Sequence, residues 1–172
     1  MRVALVLKAV KWLGVGLLLA VAAFALSGCG EAKEPLQGYP APIPANEVVG
    51  FTVVLAERVD IEKPGPLPAG DVLAQFLDAY SRSPVNEFVP TSGDLVAVVI
   101  WRTDGEVTEV LAGPGYPGSH VLIRHTDATR DISRRHQVSS AGLVDLIKGL
   151  ARERLSVAER QQLDPEGTWL GG

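Results

Sequence analysis

An unbroken apolar run at residues 95–101 constrains the fold of this 172-residue chain more than any other feature. Seven apolar residues in succession suit a central strand covered on both faces, or a strand with one tightly packed face. Asp104 and Gly105 follow soon after, and this pair is a strong signal for a two-residue hairpin, because both turn positions need positive φ. The run therefore predicts a strand that pairs antiparallel with residues 106–111.

Two other segments have the pattern of strands. The glycine- and proline-rich residues 113–118 break the chain, and residues 119–125 then predict a third consecutive strand, which completes a meander. Earlier in the chain, apolar residues alternate with their neighbours over residues 48–59, which predicts a first strand. The apolar positions of that alternation are Phe51, Val53 and Leu55.

Three segments have the apolar periodicity or the start signals of helices. Asp71 is the expected N-cap of the first helix, which carries one apolar stripe and ends before Pro84. Residues 141–152 predict a second helix, and Ser156 and Glu159 have the capping-box spacing that begins a short third one. The order strand, helix, three strands, helix, helix predicts an α+β domain. We expect an antiparallel sheet of about four strands with the helices on one face.

The first 28 residues differ from the rest of the chain. They hold no acid, and their three cations all lie within the first 11 residues. An uncharged run rich in Leu, Ala and Val then extends from residue 12 to residue 30. A basic start before an apolar run is the layout of a secretory signal. The alternative is a transmembrane anchor, since a run of this length just spans a bilayer. Glycines within the run and a cysteine at its end argue against the anchor.

The apolar run ends at Leu26-Ser27-Gly28-Cys29, which contains the one cysteine of the chain. This tetrapeptide resembles the bacterial lipobox. The resemblance implies that residues 1–28 are a signal peptide removed before Cys29, and that the Cys29 thiol is acylated. Two or three acyl chains anchor a protein stably. We therefore expect an extracytoplasmic protein that contacts the bacterial cell membrane through its lipidated Cys29.

Residues 29–46 predict a tether between that anchor and the folded domain. Proline fixes φ and donates no backbone hydrogen bond, so four prolines in this stretch favour an extended chain. These are Pro35, Pro40, Pro42 and Pro44. A short proline ligand for a partner's groove is the alternative reading. The single α+β domain then occupies residues 47–172.

Charge and cysteine content exclude several kinds of site. Without the three cations of residues 1–28, the chain has 13 Lys and Arg against 20 Asp and Glu, a net charge of about −7. An acidic domain of this kind repels phosphates, so we expect no nucleic-acid partner. One cysteine supports neither a disulfide framework nor a cysteine-based zinc site. No motif for a cofactor is present, and none is expected.

A cationic segment stands out against this acidic background. Residues 124–136 contain four arginines and two histidines. Because the planar arginine side chain suits phosphates and carboxylates, this segment is the candidate binding loop for an anionic envelope polymer or an acidic protein partner. Its candidate residues are Arg124, Arg130, Arg134, Arg135 and His136. The alternative is that Asp127 and Asp131 neutralise the arginines within a solvated loop.

The sequence marks no catalytic or metal-binding residue. His120 and His125 fall on opposite faces of a strand, because their separation is odd, and His136 has no local relation to either. No local geometry therefore brings the three histidines together, and we expect no metal site.

Three short motifs carry a resemblance to a known domain. These are Phe76-Leu77 on a helix, Thr103-Asp-Gly105 at a hairpin, and Asp127-Ala-Thr-Arg-Asp131 further on. Together they resemble a domain of unknown function found in small Firmicute lipoproteins. The resemblance implies secretion and an α+β fold, and it brings no activity and no catalytic residues.

These observations favour a non-catalytic, surface-anchored interaction domain at the cell envelope. One alternative is an envelope hydrolase whose active site is assembled from distant parts of the chain, with His125, Asp127 and His136 as the residues to inspect. Another is an accessory protein of wall or spore assembly that acts only through protein contacts.

Overall fold

A computed structural model of the chain describes residues 40–86, 93–116, 118–126 and 132–171, with only the backbone at residues 132–134. The predicted signal peptide, Cys29 and most of the tether lie outside these residues. The described residues belong to one compact unit. None of the helices within them is both long enough and apolar enough to cross a membrane.

The described chain forms one sheet and three α-helices. The strands have the order β1-β3-β4-β5-β6-β2, and every neighbouring pair is antiparallel. The strands are β1 (Val48–Leu55), β2 (Val85–Asn86), β3 (Val96–Arg102), β4 (Val107–Ala112), β5 (His120–Thr126) and β6 (Ile132–Ser139). The helices are α1 (Gly70–Ser81), α2 (Ala141–Arg154) and α3 (Val157–Leu163), with single 3-10 turns at Ala45–Glu47 and Ala56–Arg58.

The predicted α+β class and antiparallel sheet are confirmed, but the sheet has six strands rather than about four. The two strands absent from the prediction are β2 and β6. Only two residues form β2, which is too short for a periodic pattern. The strand β6 has the sequence ISRRHQVS, whose charged residues lack the apolar alternation of an ordinary strand. It is a strand because β5 and β2 pair with its two edges.

Local details differ from the sequence expectations at three points. The β3–β4 hairpin has a three-residue loop, because the Arg102 N–H donates to the Glu106 carbonyl at 3.0 Å, and Gly105 takes the positive φ of 84°. The first strand ends at Leu55 because a 3-10 turn follows. Asp71 does not cap α1, since Ala69 is the N-cap and makes no side-chain hydrogen bond.

The predicted capping box is confirmed at the start of α3. The Ser156 hydroxyl accepts from the Glu159 N–H, and the Glu159 carboxylate accepts from the Ser156 N–H at 2.9 Å. The hydrogen bonds from the Ser156 hydroxyl and N–H lower the pKa of Glu159, aided by the nearby Arg58. This helix start therefore has the geometry that its sequence spacing predicts.

The helices pack on one face of the sheet, here called the helix face. On β3, three alternate residues point to this face and are fully buried, namely Val96, Val98 and Ile100. Phe51 of β1 meets Phe76 of α1 edge to face, with ring centroids 5.6 Å apart. Because all three described helices contribute buried residues to this cluster, it is the main core of the domain.

The opposite side, here called the outer face, has a smaller apolar cluster that includes Val99 and Trp101. A segment that follows β1 covers part of it, and the Trp101 indole N–H donates to the Ile61 carbonyl at 2.8 Å. A Cβ at residue 50 would lie 2.5 Å from the Pro64 Cβ, so the glycine at this position of β1 allows the covering segment to pack closely against the strand. Coverage on both faces explains why the run at residues 95–101 is apolar throughout.

Candidate functional site

The predicted cationic loop is divided between two paired strands. Arg124 lies in β5, and Arg135 and His136 lie in β6. Arg134 also belongs to β6, at the register position opposite His125. At these four positions the segment is therefore a β-ladder and not a loop. Arg130, together with Asp127 and Asp131, lies outside the described residues.

Strand alternation separates these candidate residues by face. Arg124 and Arg135 are directly opposite each other in the β5–β6 register and lie on the outer face. His136 is opposite Ile123, whose side chain belongs to the core of the helix face. The candidate residues thus do not form a single patch, because neighbouring residues of a strand point to opposite sides.

Three charged residues form a line across the outer face, here called the arginine row. Glu109, Arg124 and Arg135 occupy matching register positions in β4, β5 and β6. Arg124 Nη2 donates to Glu109 Oε2 in a short ion pair, in which the glutamate side chain is 7% exposed and the arginine side chain 28%. Arg135 is exposed and makes neither an ion pair nor a hydrogen bond with the described residues.

The arginine row has more positive charge than its own residues neutralise. The row contains one carboxylate and two guanidinium groups. The like charges of Arg124 and Arg135 lie directly opposite each other in the ladder, which is destabilising. In addition, Arg124 Nε is buried and has no acceptor among the described residues. A carboxylate or phosphate bound by the two arginines neutralises the excess positive charge, because each guanidinium offers a planar pair of donors to such a group.

Glu109 is a site residue that the sequence analysis missed. Among the described residues, the ion-pair partner of Arg124 is Glu109, while Asp127 and Asp131, the partners considered from the sequence, lie outside those residues. A signal for this pairing is present in the sequence, because Glu109 interrupts an otherwise uncharged strand. A carboxylate that becomes buried in a sheet requires a cation on an adjacent strand.

A second group of polar residues, here called the histidine cluster, occupies the helix face near the β3–β4 hairpin. His125 Nδ1 lies 3.0 Å from Glu106 Oε1 and 3.1 Å from the Thr108 hydroxyl, which is fully buried. The His136 ring stacks on the His125 ring, with centroids 5.4 Å apart. No local pattern brings these two histidines together, and their contact arises from the β5–β6 register.

The carboxylate of Glu106 is shared between His125 and Arg102. Arg102 Nη1 donates to Glu106 Oε1 at 3.1 Å, while Nη2 lies 3.0 Å from both Glu47 and Asp104. Burial lowers the pKa of Arg102, but the hydrogen bond to Glu47 and the three acidic charges outweigh it, so the pKa is raised. Arg102 therefore remains charged and joins the start of β1 to the hairpin.

A carboxylate at Nδ1 favours the tautomer of His125 that carries its proton there, which makes Nε2 the basic nitrogen. This carboxylate–imidazole arrangement is the one that general bases use. For a metal ion, the described ranges contain no group of three His, Cys, Asp or Glu side chains placed to bind one.

The described residues thus define an α+β domain with helices on one face of an antiparallel sheet and an arginine row on the other. Comparison of the chain with protein-family models, with curated proteins and with solved structures found no match. The function is therefore inferred from the residues of this chain.

Proposed function

We propose that this chain is a lipid-anchored extracytoplasmic protein whose domain binds an anionic component of the cell envelope without catalysing a reaction. The observation that carries the proposal is the exposed Arg135 directly opposite Arg124, so that the row holds two guanidinium groups and one carboxylate. An anion completes this arrangement, whereas a neutral ligand leaves the excess positive charge in place.

The lipid anchor is supported by Leu26-Ser27-Gly28-Cys29 and by the proline-rich tether after it. Because Ile43 is buried in the main core, residues 29–39 remain for an extended tether, which spans up to roughly 33 Å at about 3 Å per residue. The arginine row then reaches polymers that lie well above the membrane surface. The likeness to the small Firmicute lipoprotein domain supports the same location.

Replacing Cys29 with alanine is expected to abolish lipidation, because no thiol remains to form the thioether. Intact-mass spectrometry of membrane-extracted protein is the measurement. The wild-type chain should begin at Cys29 and carry added acyl mass, and a Ser27→Ala variant, which keeps a small residue there, should do the same. Acyl mass on the Cys29→Ala chain, or a wild-type chain with residues 1–28 intact and no lipid, contradicts the anchor.

The ligand class follows from the geometry of the arginine row. Two adjacent guanidinium groups suit a phosphate or a carboxylate, and a polymer with repeated anionic groups gains further affinity from rebinding. The net charge of about −7 on the mature chain opposes non-specific attraction of polyanions. Binding therefore depends on this local site. An acidic protein partner has the same carboxylate chemistry and is the alternative occupant.

Replacing Arg135 with alanine is expected to weaken polyanion binding about tenfold, since one charge-assisted contact is lost. The measurement is the Kd for soluble polyphosphate, with the full chain held in phosphatidylcholine nanodiscs. Arg82→Ala is the matched control, because Arg82 is also exposed but pairs with Asp78 on α1. Replacing Arg130, Arg134 and Arg135 together tests the whole cationic segment. Equal affinities for wild type and the triple variant contradict the polyanion proposal.

The histidine cluster supports a second candidate, an envelope hydrolase. Its supporting observation is the 3.0 Å contact between His125 Nδ1 and Glu106, with His136 stacked beside it. A panel of ester, amide and phosphodiester substrates tests this candidate. Any hydrolysis should disappear in His125→Gln and persist in His120→Gln, which alters the other end of β5. Activity that His125→Gln leaves intact excludes this site.

A further inference from the structure

A solvent-exposed groove runs between α1 and α2. It has a volume of about 410 Å³, and residues of both helices line it. Its lining includes Phe76, which is fully buried, and Leu150, which is nearly so. The groove is formed by the helices, whereas the arginine row lies on the outer face of the sheet, so the two surfaces are distinct.

Two glycines lie where α2 borders the groove. Gly142 and Gly149 are seven residues apart and therefore share one side of the helix. Apart from the adjoining backbone of α2 itself, no heavy atom lies within 4 Å of the Cβ position at either glycine, so packing among the described residues does not require them. Glycine also weakens a helix relative to alanine. Their structural effect is to leave the backbone of α2 accessible to a partner along the groove.

The charged residues that line the groove are both acids. Asp145 and Glu153 lie on α2, and none of the lining residues is Lys or Arg. Asp145 makes no ion pair or hydrogen bond with the described residues, and Glu153 contacts only the adjacent Arg154 at 3.1 Å. A second copy docked symmetrically in this groove brings these acids toward one another, which is unfavourable. A cationic partner instead complements them.

We propose that this groove binds an amphipathic helix of a partner protein, with an apolar stripe flanked by Lys or Arg. The apolar stripe covers Val72 and Leu146, which are partly exposed, and the flanking cations meet Asp145 and Glu153. This is the helix-in-groove mode of recognition, in which apolar side chains at helical spacing supply most of the contact. The groove is separate from the arginine row, and helix binding there does not depend on anion binding at the row.

The test uses a fluorescein-labelled synthetic helix of about 18 residues, with Leu at i, i+3, i+4 and i+7 and Lys at flanking positions. Anisotropy measures its binding to the full chain in phosphatidylcholine nanodiscs, with empty nanodiscs as the blank. Gly149→Leu fills the groove and should weaken binding at least tenfold. This variant should fold, because leucine is a stronger helix former than glycine. Ala74→Leu adds the same side chain on the exposed part of α1 outside the groove lining and should leave the affinity unchanged.

Charge reversal provides the second arm of the test. Asp145→Lys and Glu153→Lys should each weaken binding several-fold, while Glu166→Lys, away from the groove, should not. A peptide with Glu in place of Lys should fail to bind the wild-type chain. The proposal is overturned if the Gly149→Leu and Ala74→Leu variants bind the Lys peptide equally well. It is also overturned if the wild-type chain binds the Glu peptide as tightly as the Lys peptide. A dimer in sedimentation experiments that Gly149→Leu dissociates also overturns it, since the occupant is then a second copy.

Discussion

Replacing Glu109 with glutamine is expected to lower the free energy of unfolding by about 3 kcal/mol, the lower end of the range for breaking a buried ion pair. Glu109 is the ion-pair partner of Arg124, and Arg135 lies directly opposite on β6. Without the carboxylate, Arg124 loses its ion-pair partner while the like charge of Arg135 remains directly opposite. The lower end applies because the Arg124 side chain is 28% exposed, so water partly solvates it.

Urea unfolding measures this change, and Glu166→Gln is the control, since Glu166 is exposed and its replacement should alter stability by less than about 0.5 kcal/mol. Phosphate should raise the free energy of unfolding of Glu109→Gln more than that of Glu166→Gln, because an anion that binds the native state stabilises it. The comparison at equal phosphate concentration removes the general effect of the salt. Equal stabilisation of both variants by phosphate would show that the arginine row does not bind anions.

Replacing Asp164 with alanine is also expected to lower the free energy of unfolding by about 3 kcal/mol, because buried N–H groups lose a charged acceptor. The buried Asp164 carboxylate accepts from the N–H groups of Thr168, Trp169 and Leu170, at 3.1, 2.9 and 2.6 Å. The side chains of Trp169 and Leu170 belong to the main core. Loss of this acceptor therefore releases residues 168–170, here called the C-terminal turn, and exposes apolar surface as well.

The unfolding free energy and the wavelength of tryptophan emission, to which Trp169 contributes, report this loss. Asp164→Asn keeps one side-chain oxygen acceptor and should be destabilised by roughly half as much. Asp145→Ala removes an exposed carboxylate from α2 and serves as the matched control, with an expected change below about 0.5 kcal/mol. If Asp164→Ala is as stable as this control, the carboxylate does not hold the C-terminal turn.

The elements that sequence reasoning located best are those with strong local patterns. The apolar stripe of α1 and the capping box at Ser156 depend on residues three or four apart, and both are present as predicted. The apolar run that becomes β3 also lies within one residue of its predicted bounds. These patterns are reliable because near neighbours in the chain determine helix starts and strand burial.

The strand β6 shows where local patterns fail. Its charged sequence, which includes Arg134, Arg135 and His136, has the composition of a loop, yet it pairs with β5 over seven register positions from His120 to Thr126. The backbone hydrogen bonds of the ladder are available to any residue except proline, so composition alone does not exclude a strand. The sequence analysis treated the cations of this segment as one loop, whereas the pleat places neighbouring residues of β6 on opposite faces.

By itself the sequence determined the fold class, the helix positions and the three-strand meander, and it indicated a cationic segment in an acidic chain. Tertiary structure alone decided that Arg124 meets Glu109, that Arg135 lies exposed beside it, and that His125 and His136 stack. The reason is physical. Helix and strand signals act over a few residues, whereas antiparallel register sets which side chains of distant segments become neighbours on one face.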